Sequence, residues 1–260
     1  MVHSRAWTRA RGLAMPAGVG GALACVVLSG CAAGRVAAHA APAPGAPDIV
    51  RRLVVLGKSV RGRPITAVEL GSPGARRRVL VVGVIHGDEP AGAPIVRRLA
   101  EGPAVPNTDL WLLEDLNPDG VVAGTRQNAH RVDLNRNFPF RWQPIGRPGF
   151  QQFSGPRALS EPEARIAHRL ILRLRPQVTL WFHQPLGVVD ESGGSIAVER
   201  RFARLIGLRA RRLTRYPGSA TGWQDHRLAG STAFVVELPA GRLGEARLER
   251  AVDAVRAIAR

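Results

Sequence analysis

Cysteine is nearly absent from this chain, and both of its cysteines lie close to the N-terminus. The 260 residues contain Cys25 and Cys31 and no other cysteine. A domain formed by the rest of the chain therefore has no disulfide and no thiolate metal ligand. Any metal site in that domain must be built from histidine and carboxylate side chains.

Lysine is scarcer still, although the chain is strongly basic. Lys58 is the sole lysine, while lysine and arginine together number 37 against 20 acidic residues. Such an arginine excess either reflects GC-rich coding or forms a basic surface that attracts nucleic acid, anionic lipid or wall polymers. The sequence has no basic stripe interleaved with aromatic residues, so we expect no nucleic-acid partner. An apolar content of 45% is ordinary for a globular protein and excludes a disordered chain.

The first thirty residues are typical of an export signal. Arg5, Arg9 and Arg11 precede the uncharged stretch GVGGALACVVLSG, which is too short for a stable membrane anchor. The sequence LSGC, which ends at Cys31, resembles the lipobox of bacterial lipoproteins, whose cysteine is diacylated after cleavage. A plain cleavage site followed by a cysteine is the alternative. We expect residues 1–31 to be a lipoprotein-type signal peptide.

The domain organisation and the location of the protein follow from this signal. Residues 32–47 are rich in alanine and proline and predict a flexible or extended tether. Residues 48–260 then form one folded domain. We expect an exported protein that is held on the membrane by lipid and faces the cell wall or periplasm, or a secreted protein if Cys31 carries no lipid.

Within the domain, buried-strand patterns alternate with helical ones. A hairpin is predicted in IVRRLVVLGKSVRGRPITAVELG, and further strands in RRVLVVGVIHG, DLWLLEDLNPDG, QVTLWFHQP and STAFVVELP. The NPDG sequence predicts a turn at the end of the second of these further strands. Helices are predicted in EPAGAPIVRRLAEG, SEPEARIAHRLILRLRP, AVERRFARLIGL and EARLERAVDAVRAIAR, with Ser160 as the N-cap of the second. The long segment 121–159 is nearly aperiodic and predicts a functional loop region. This alternation indicates an α/β fold with a mostly parallel sheet covered on both faces.

Three of these strands end in side chains that bind metals or transfer protons. His86 and Glu89 follow one strand, His183 ends another, and Glu237 lies near the end of a third. In parallel sheets the ligand site lies beyond the carboxyl ends of the strands. Two histidines and one glutamate form a known zinc ligand set that leaves one coordination position open for water.

Six motifs stand in order along the chain: GVIHGDEPAG, NPDG, GTRQNAHRVDLNRNFP, WFHQPLG, RYPGSATGW and FVVELP. Together they resemble the zinc carboxypeptidase family, that is, the carboxypeptidase A-like metallopeptidases. Within it they are most similar to the bacterial murein peptide amidases, which cleave the γ-D-glutamyl bond to diaminopimelate. The resemblance covers residues 50–260. It implies a mixed, mostly parallel, twisted eight-stranded sheet between helices, in a short version of the family fold.

The resemblance also implies a role for each matching residue. His86, Glu89 and His183 match the ligands of one Zn²⁺ per chain, and Glu237 matches the general base. The residues around them match, in turn, the oxyanion-stabilising arginine (Arg126), the pair that holds a terminal carboxylate (Asn135 and Arg136), the mobile tyrosine (Tyr216) and the carboxylate that orients the first zinc histidine (Asp133).

Asp225 lies between Tyr216 and Glu237, where the family sets its specificity pocket. It is our candidate for binding the side-chain amine of diaminopimelate; a surface turn residue beside His226 is the alternative. His226 is also a rival for His183 as the third ligand, although it does not end a strand.

Several residues depart from the family pattern or have ordinary explanations. Arg131 stands where the family often has a glycine, which puts the conformation of its loop in question. The resemblance assigns no role to Gln184 or His130. We expect His168 to be solvated, and Glu161 and Glu163 to be charges on the surface of a helix.

The resemblance favours an exported zinc metallocarboxypeptidase that acts on peptidoglycan peptides. A zinc deacylase of small N-acyl amino acids is a second hypothesis, because such enzymes share a His-x-x-Glu start. A catalytically inactive lipoprotein that binds wall fragments is a third, although a binding protein has no need of Glu237. The sequence leaves the oligomeric state open.

Overall fold

A computed structural model of the protein describes residues 49–260. The expected signal peptide, Cys31 and the Ala/Pro-rich tether lie outside these residues, as does the predicted start of the domain at residue 48. In the part of the chain that is described, no helix is long and apolar enough to cross a bilayer.

One mixed eight-stranded sheet runs through residues 49–260, which confirms the predicted fold class. Its strands are β1 (Val50–Lys58), β2 (Pro64–Gly71), β3 (Arg77–Val84), β4 (Thr108–Asp115), β5 (Val178–His183), β6 (Leu186–Asp190), β7 (Arg209–Arg211) and β8 (Thr232–Pro239). They lie in the order β1-β2-β4-β3-β5-β8-β6-β7. The central strands β4, β3, β5 and β8 are parallel to one another, so their carboxyl ends share one edge of the sheet.

Helices cover both faces of this sheet. In the described part of the chain they are α1 (Gly92–Glu101), α2 (Pro118–Ala123), α3 (Pro162–Leu174), α4 (Ile196–Ile206), α5 (Ala220–Arg227) and α6 (Glu245–Ala259), with a 3₁₀ turn at Leu134–Arg136. Helices α1, α4 and α6 contribute to one apolar core, and α3 and α5 contribute to the other.

The strand β3 shows why the sheet needs cover on both sides. Val79 and Val81 belong to the core under α1, α4 and α6, whereas Leu80 and Val82 belong to the core under α3 and α5. All four side chains are at most 1% exposed. Because successive side chains of a strand point to opposite faces, an unbroken apolar run is stable only between two helical layers.

The predicted N-terminal hairpin is present, and a glycine makes its turn. Strands β1 and β2 pair antiparallel. Between them, Ser59 N–H donates to Arg63 O at 2.8 Å, and Gly62 N–H donates to Ser59 O at 3.0 Å. Gly62 has φ +78°, in the left-handed region that suits glycine.

Three local predictions are wrong. The NPDG sequence opens helix α2 instead of forming a turn, because the Asn117 side chain accepts a hydrogen bond from Gly120 N and caps the helix. Helix α5 occupies the stretch around Asp225 that looks turn-like in the sequence, and Ser219 caps it in the same way. The N-cap of α3 is Glu161, one residue after the predicted Ser160.

Candidate active site

The carboxyl edge of the parallel strands gathers the residues predicted from the strand ends. His86 lies two residues beyond β3, and His183 is the last residue of β5. Glu237 lies in β8 directly opposite His183. Because β3, β5 and β8 are consecutive in the sheet, three chemically active side chains lie side by side at one edge.

Three of the predicted ligand atoms form a compact triangle. The Nδ1 atoms of His86 and His183 are 3.1 Å apart. Glu89 Oε2 lies 3.0 Å from His86 Nδ1 and 2.8 Å from His183 Nδ1. In a tetrahedral zinc site with bonds of about 2.1 Å, ligand atoms stand about 3.4 Å apart. Both histidines are buried, at 1% and 4% exposure. The triangle therefore has the chemistry and nearly the size of a zinc ligand set.

Glu89 is held in its charged form. Burial by itself would raise the pKa of its carboxyl, but hydrogen bonds from His183 and His86 outweigh burial and bring the pKa well below its usual range. The backbone N–H of Gln184 also donates to Glu89 Oε2, at 3.2 Å. A deprotonated carboxylate is the form that binds a metal.

Asp133 lies behind the triangle, where the resemblance placed it. It is fully buried, and its Oδ1 is 3.1 Å from His86 Nε2. With a metal on Nδ1, this contact keeps the remaining ring proton on Nε2. Burial alone would raise the pKa of Asp133, but the charges of His86 and Arg126 outweigh burial and lower it, so the group is a carboxylate.

Arg126 links the metal triangle to Asp133. Its Nη1 donates to Glu89 Oε1 and its Nε donates to Asp133 Oδ2, both at 2.9 Å. Burial alone would lower the pKa of this guanidinium. The negative charges of Asp133 and Glu89 outweigh burial and raise the pKa, so Arg126 stays cationic. Only 17% of the side chain is exposed. A fixed positive charge thus stands directly beside the metal ligands.

The loop that carries Arg126 keeps a left-handed turn despite its departure from the family pattern. Arg131 adopts φ +60° where a glycine is usual. Asn128 braces this turn, because its Oδ1 accepts hydrogen bonds from His130 N and Val132 N, both at 3.1 Å. Backbone hydrogen bonds from Arg131 N to Asn128 O and from Asn128 N to Val132 O close the same turn, so the loop keeps its conformation without a glycine.

The same loop buries two glutamates that we expected on a helix surface. Glu161 and Glu163 are 2% and 0% exposed. Asn128 Nδ2 donates to both, at 2.7 and 3.0 Å, and His130 Nδ1 lies 2.8 Å from Glu161. The surface prediction is wrong because segment 121–159 folds over the start of α3. His130 therefore braces the loop.

Asn135, Arg136 and Tyr216 form a second group on the same cavity. Asn135 Oδ1 accepts from Ala220 N at 2.9 Å, so its amide NH₂ is the free end. The Arg136 guanidinium lies 4.0 Å from the centre of the Tyr216 ring, a cation–π contact. Arg136 is 4% exposed and its buried Nε has no partner among the described residues. Tyr216 is 43% exposed.

Glu237 lies beside His183 at this edge and outside the metal triangle. Burial raises the pKa of its carboxyl, and the nearby His183 counteracts only part of that rise. A carboxylate with a raised pKa accepts a proton more readily near neutral pH. Glu237 therefore has the position and the basicity of a general base.

Sequence reasoning missed the role of Gln184. Its Oε1 accepts from Ala91 N at 3.0 Å, and its Nε2 donates to Pro239 O at 2.9 Å and to Gly241 O at 2.8 Å. The side chain thus ties the end of β5 to the end of β8 and to the segment just before α1. Its place directly after His183 was the only signal in the sequence.

Two other histidines lie apart from the metal triangle. The exposed His226 stacks on Phe140, with ring centres 4.0 Å apart. His168 is only half-exposed and packs against Trp223 at 4.5 Å, so the expectation that it is solvated is only partly met. In residues 49–260, the group of side chains arranged to hold a metal is His86, Glu89 and His183.

A cavity of about 810 Å³ joins these groups. Among residues 49–260, its walls include all the predicted site residues except Asp133, which is buried behind His86. Asp225 also lines the cavity, from helix α5, so the alternative of a surface turn residue is wrong and amine binding by Asp225 stays a prediction.

A model of the family described as zinc carboxypeptidase matches residues 43–185, and the chain therefore belongs to the zinc carboxypeptidase family. The family membership agrees with the metal triangle and makes zinc its metal. The match contains all three metal ligands and ends before Tyr216, Asp225 and Glu237, whose roles stay predictions.

Two curated relatives are similar over part of the chain. Carboxypeptidase SOL1 of Arabidopsis thaliana is 38% identical over 112 residues, which cover 37% of this chain and 23% of that protein. Murein peptide amidase A of Escherichia coli (strain K12) is 31% identical over 151 residues, which cover 52% of this chain and 60% of that protein. The family and these relatives indicate a zinc-dependent hydrolase.

Two solved structures share the fold. Murein-tripeptide amidase MpaA from Escherichia coli O157 has a TM-score of 0.65 at 24% identity and covers 80% of this chain and 91% of its own. Carboxypeptidase A from Helicoverpa armigera has a TM-score of 0.69 at 21% identity and covers 81% of this chain and 69% of its own. At these identities the likeness shows the fold alone.

Proposed function

We propose that this chain is an exported zinc metallocarboxypeptidase that removes a C-terminal residue bearing a free carboxylate, and that its substrate is the γ-D-Glu–diaminopimelate bond of peptidoglycan peptides. The observation that carries the proposal is the shared cavity. Glu237 lies beside the metal triangle, and Asn135 and Arg136 line the same cavity. One cavity thus contains both residues suited to activating water and residues suited to binding a carboxylate.

The metal triangle and Glu237 divide the activation of water between them. His86, Glu89 and His183 would hold a zinc ion, whose Lewis acidity would polarise the carbonyl and lower the pKa of bound water. Glu237 accepts a proton from the attacking water and passes it to the leaving amine nitrogen as the C–N bond breaks. The raised pKa of Glu237 suits a group that must both take and return a proton.

Arg126 stabilises the charge that develops on the carbonyl oxygen. Its hydrogen bonds to Glu89 and Asp133 hold the guanidinium in place before the substrate arrives. A cation that is already oriented needs no reorganisation in the transition state, which makes its electrostatic effect large.

Asn135 and Arg136 restrict the substrate to peptides with a free carboxylate. A planar guanidinium suits two parallel hydrogen bonds to a carboxylate, and the amide NH₂ of Asn135 adds a third donor. Tyr216 lies over Arg136 and is half exposed, so it can move over a bound peptide.

The murein substrate and the export of the protein are the finer parts of the proposal. The substrate is supported by the resemblance to murein peptide amidases and by Asp225, an acidic group on the cavity that fits the amine of diaminopimelate. Export and lipid anchoring are supported by the sequence around Cys31 alone.

The proposal is tested by incubating the full chain and zinc with a panel of defined peptides and identifying the products by mass spectrometry. The expected result is cleavage of L-Ala-γ-D-Glu-diaminopimelate to L-Ala-D-Glu and free diaminopimelate. Preference for ordinary α-linked peptides with aromatic or aliphatic ends would contradict the murein substrate and leave the peptidase chemistry standing. An N-acyl amino acid as the sole substrate would favour the deacylase hypothesis.

A further inference from the structure

The cavity has a second charged region, made by the residues that follow β6 and by helix α5. Asp225 lies there, and its Oδ1 accepts a hydrogen bond from Ala233 N at 2.7 Å. Ala233 precedes Glu237 by four residues in β8, which is about 13 Å along a strand. This region therefore lies at some distance from the general base. It is placed to contact the far end of a long substrate side chain.

One side-chain oxygen of Asp225 is unused. Its Oδ2 is buried and has no hydrogen-bond partner among the described residues. An unsatisfied buried acceptor is costly, so a ligand that donates a hydrogen bond to it gains affinity. Burial, with the neighbouring Glu199 and Asp190 charges, raises the pKa of Asp225 to about 7, while the Arg215 charge acts against the rise.

The neighbouring Asp190 offers no comparable acceptor. Its Oδ1 accepts from Leu213 N at 2.8 Å, and its Oδ2 accepts from the Ser192 hydroxyl at 2.7 Å. Both oxygens are therefore engaged within the protein. Of the two aspartates on this part of the cavity, Asp225 is the one with a free acceptor for an ammonium group.

Arg215 borders the same region and has unused donors. It donates to Glu191 O at 3.0 Å and to Ser192 O, which employs two of the five N–H groups of a guanidinium. Gly193 lies directly against it, because a Cβ at that position would stand 2.6 Å from Arg215 Nη1. Among the salt bridges of residues 49–260, none joins Arg215 to Asp225.

A buried acceptor and a cation with free donors thus line one cavity without a salt bridge between them. We propose that Asp225 and Arg215 together bind a substrate side chain that ends in an α-amino acid group, with its ammonium on Asp225 Oδ2 and its carboxylate on Arg215. The inference rests on the proposed function and deepens it. Diaminopimelate has such an end, whereas lysine presents the ammonium alone, so Arg215 is the residue that separates the two.

The test measures binding and not turnover, so that it stays separate from the test of the proposed function. The full chain carrying Glu237→Gln is titrated calorimetrically, in the presence of zinc, with four γ-D-Glu-X dipeptides. X is meso-diaminopimelate (both groups), lysine (ammonium only), α-aminopimelate (carboxylate only) or norleucine (neither).

Each variant has its own expected pattern. Arg215→Gln weakens binding of the diaminopimelate and aminopimelate peptides about tenfold or more and leaves the lysine peptide within about twofold. Asp225→Asn, which keeps the acceptor for Ala233 N, weakens the diaminopimelate and lysine peptides and spares the aminopimelate peptide. Arg212→Gln, a substitution of an exposed arginine outside the cavity wall, changes none of the four. Thermal melting confirms that each variant is folded.

The proposal is overturned if Arg215→Gln weakens all four peptides equally, because Arg215 then acts on the fold or the backbone of the ligand. It is also overturned if the chain with Glu237→Gln as its only substitution binds the four peptides with equal affinity or binds none of them. Arg215→Lys is the conservative variant, and partial recovery of the diaminopimelate preference supports a charge contact. A chain that shows the expected binding pattern but does not hydrolyse γ-linked peptides would refute the proposed function alone.

Discussion

His183 and Glu237 are register partners in the adjacent parallel strands β5 and β8. The pairing places a metal ligand and a general base side by side on strands that are buried along most of their length. Their relative position is therefore determined by backbone hydrogen bonds of the sheet and does not depend on a flexible loop. Gln184 strengthens this arrangement by bonding to backbone carbonyls just beyond Glu237.

The metal assignment predicts different effects for two histidines that both line the cavity. We expect the full chain to purify with about one zinc ion, His183→Ala to lose most of it, and His226→Ala to keep it. His183 Nδ1 belongs to the donor triangle, whereas His226 is exposed and stacks on Phe140. Metal analysis after dialysis measures this, and equal zinc in the wild type and in His183→Ala would contradict the ligand set.

The position of Arg126 predicts that its loss affects the transition state more than substrate binding. For Arg126→Ala we expect kcat to fall about 100-fold or more, with a smaller rise in KM, because an oxyanion contact forms mainly in the transition state. Arg126 also bonds to Glu89 and Asp133, so the zinc content of the variant must be measured alongside its kinetics. An unchanged kcat in a zinc-loaded variant would show that another group meets the oxyanion.

The buried carboxyl of Asp225 predicts a pH dependence of stability. Burial and the Glu199 and Asp190 charges raise its pKa to about 7 against the opposing Arg215 charge, from an ordinary value of 3.8. Between about pH 4 and 7 the folded chain holds a proton that the unfolded chain has released, so the free energy of unfolding falls as the pH rises through this window.

Asp225→Asn removes that titration and keeps an oxygen for Ala233 N. Relative to wild type, we expect the variant to gain about 2–4 °C in Tm at pH 8, the effect of ~1 kcal/mol in a chain of this size, and to gain nothing at pH 4. Differential scanning calorimetry at the two pH values measures the difference. The same Tm change at both would mean that Asp225 does not titrate in this range.

The lipobox-like sequence predicts that a lipid anchor is attached to Cys31 and not to Cys25. We expect Cys31→Ser to release the protein from membranes or to block its processing, because little apolar area remains to hold it without acyl chains. Cys25→Ser is the matched control, since we expect that residue to leave with the signal peptide and its variant to fractionate like wild type. Membrane fractionation that does not change for Cys31→Ser would indicate a plain secreted protein.

The metal site was predictable from the sequence because its residues end strands whose apolar runs are unmistakable. His86 follows VLVVGVI and His183 follows VTLWF, and such strands have their carboxyl ends at one edge. The burial of Glu161 and Glu163 was not predictable, because it depends on how an aperiodic loop folds over α3. The shared cavity of Arg215 and Asp225 was not predictable for a similar reason, because separate elements form its walls.

Hydrolysis of L-Ala-γ-D-Glu-diaminopimelate by the zinc-loaded full chain and by its Glu237→Gln variant tests the proposed function most directly. We expect wild type to release free diaminopimelate, and the variant to retain zinc and its melting temperature while turnover falls by orders of magnitude, since an amide cannot accept the proton of water. Glu101→Gln, an exposed substitution at the end of α1, controls for the loss of one negative charge. Near-normal turnover in zinc-loaded Glu237→Gln would contradict Glu237 as the base, and no release of diaminopimelate by wild type would contradict the substrate.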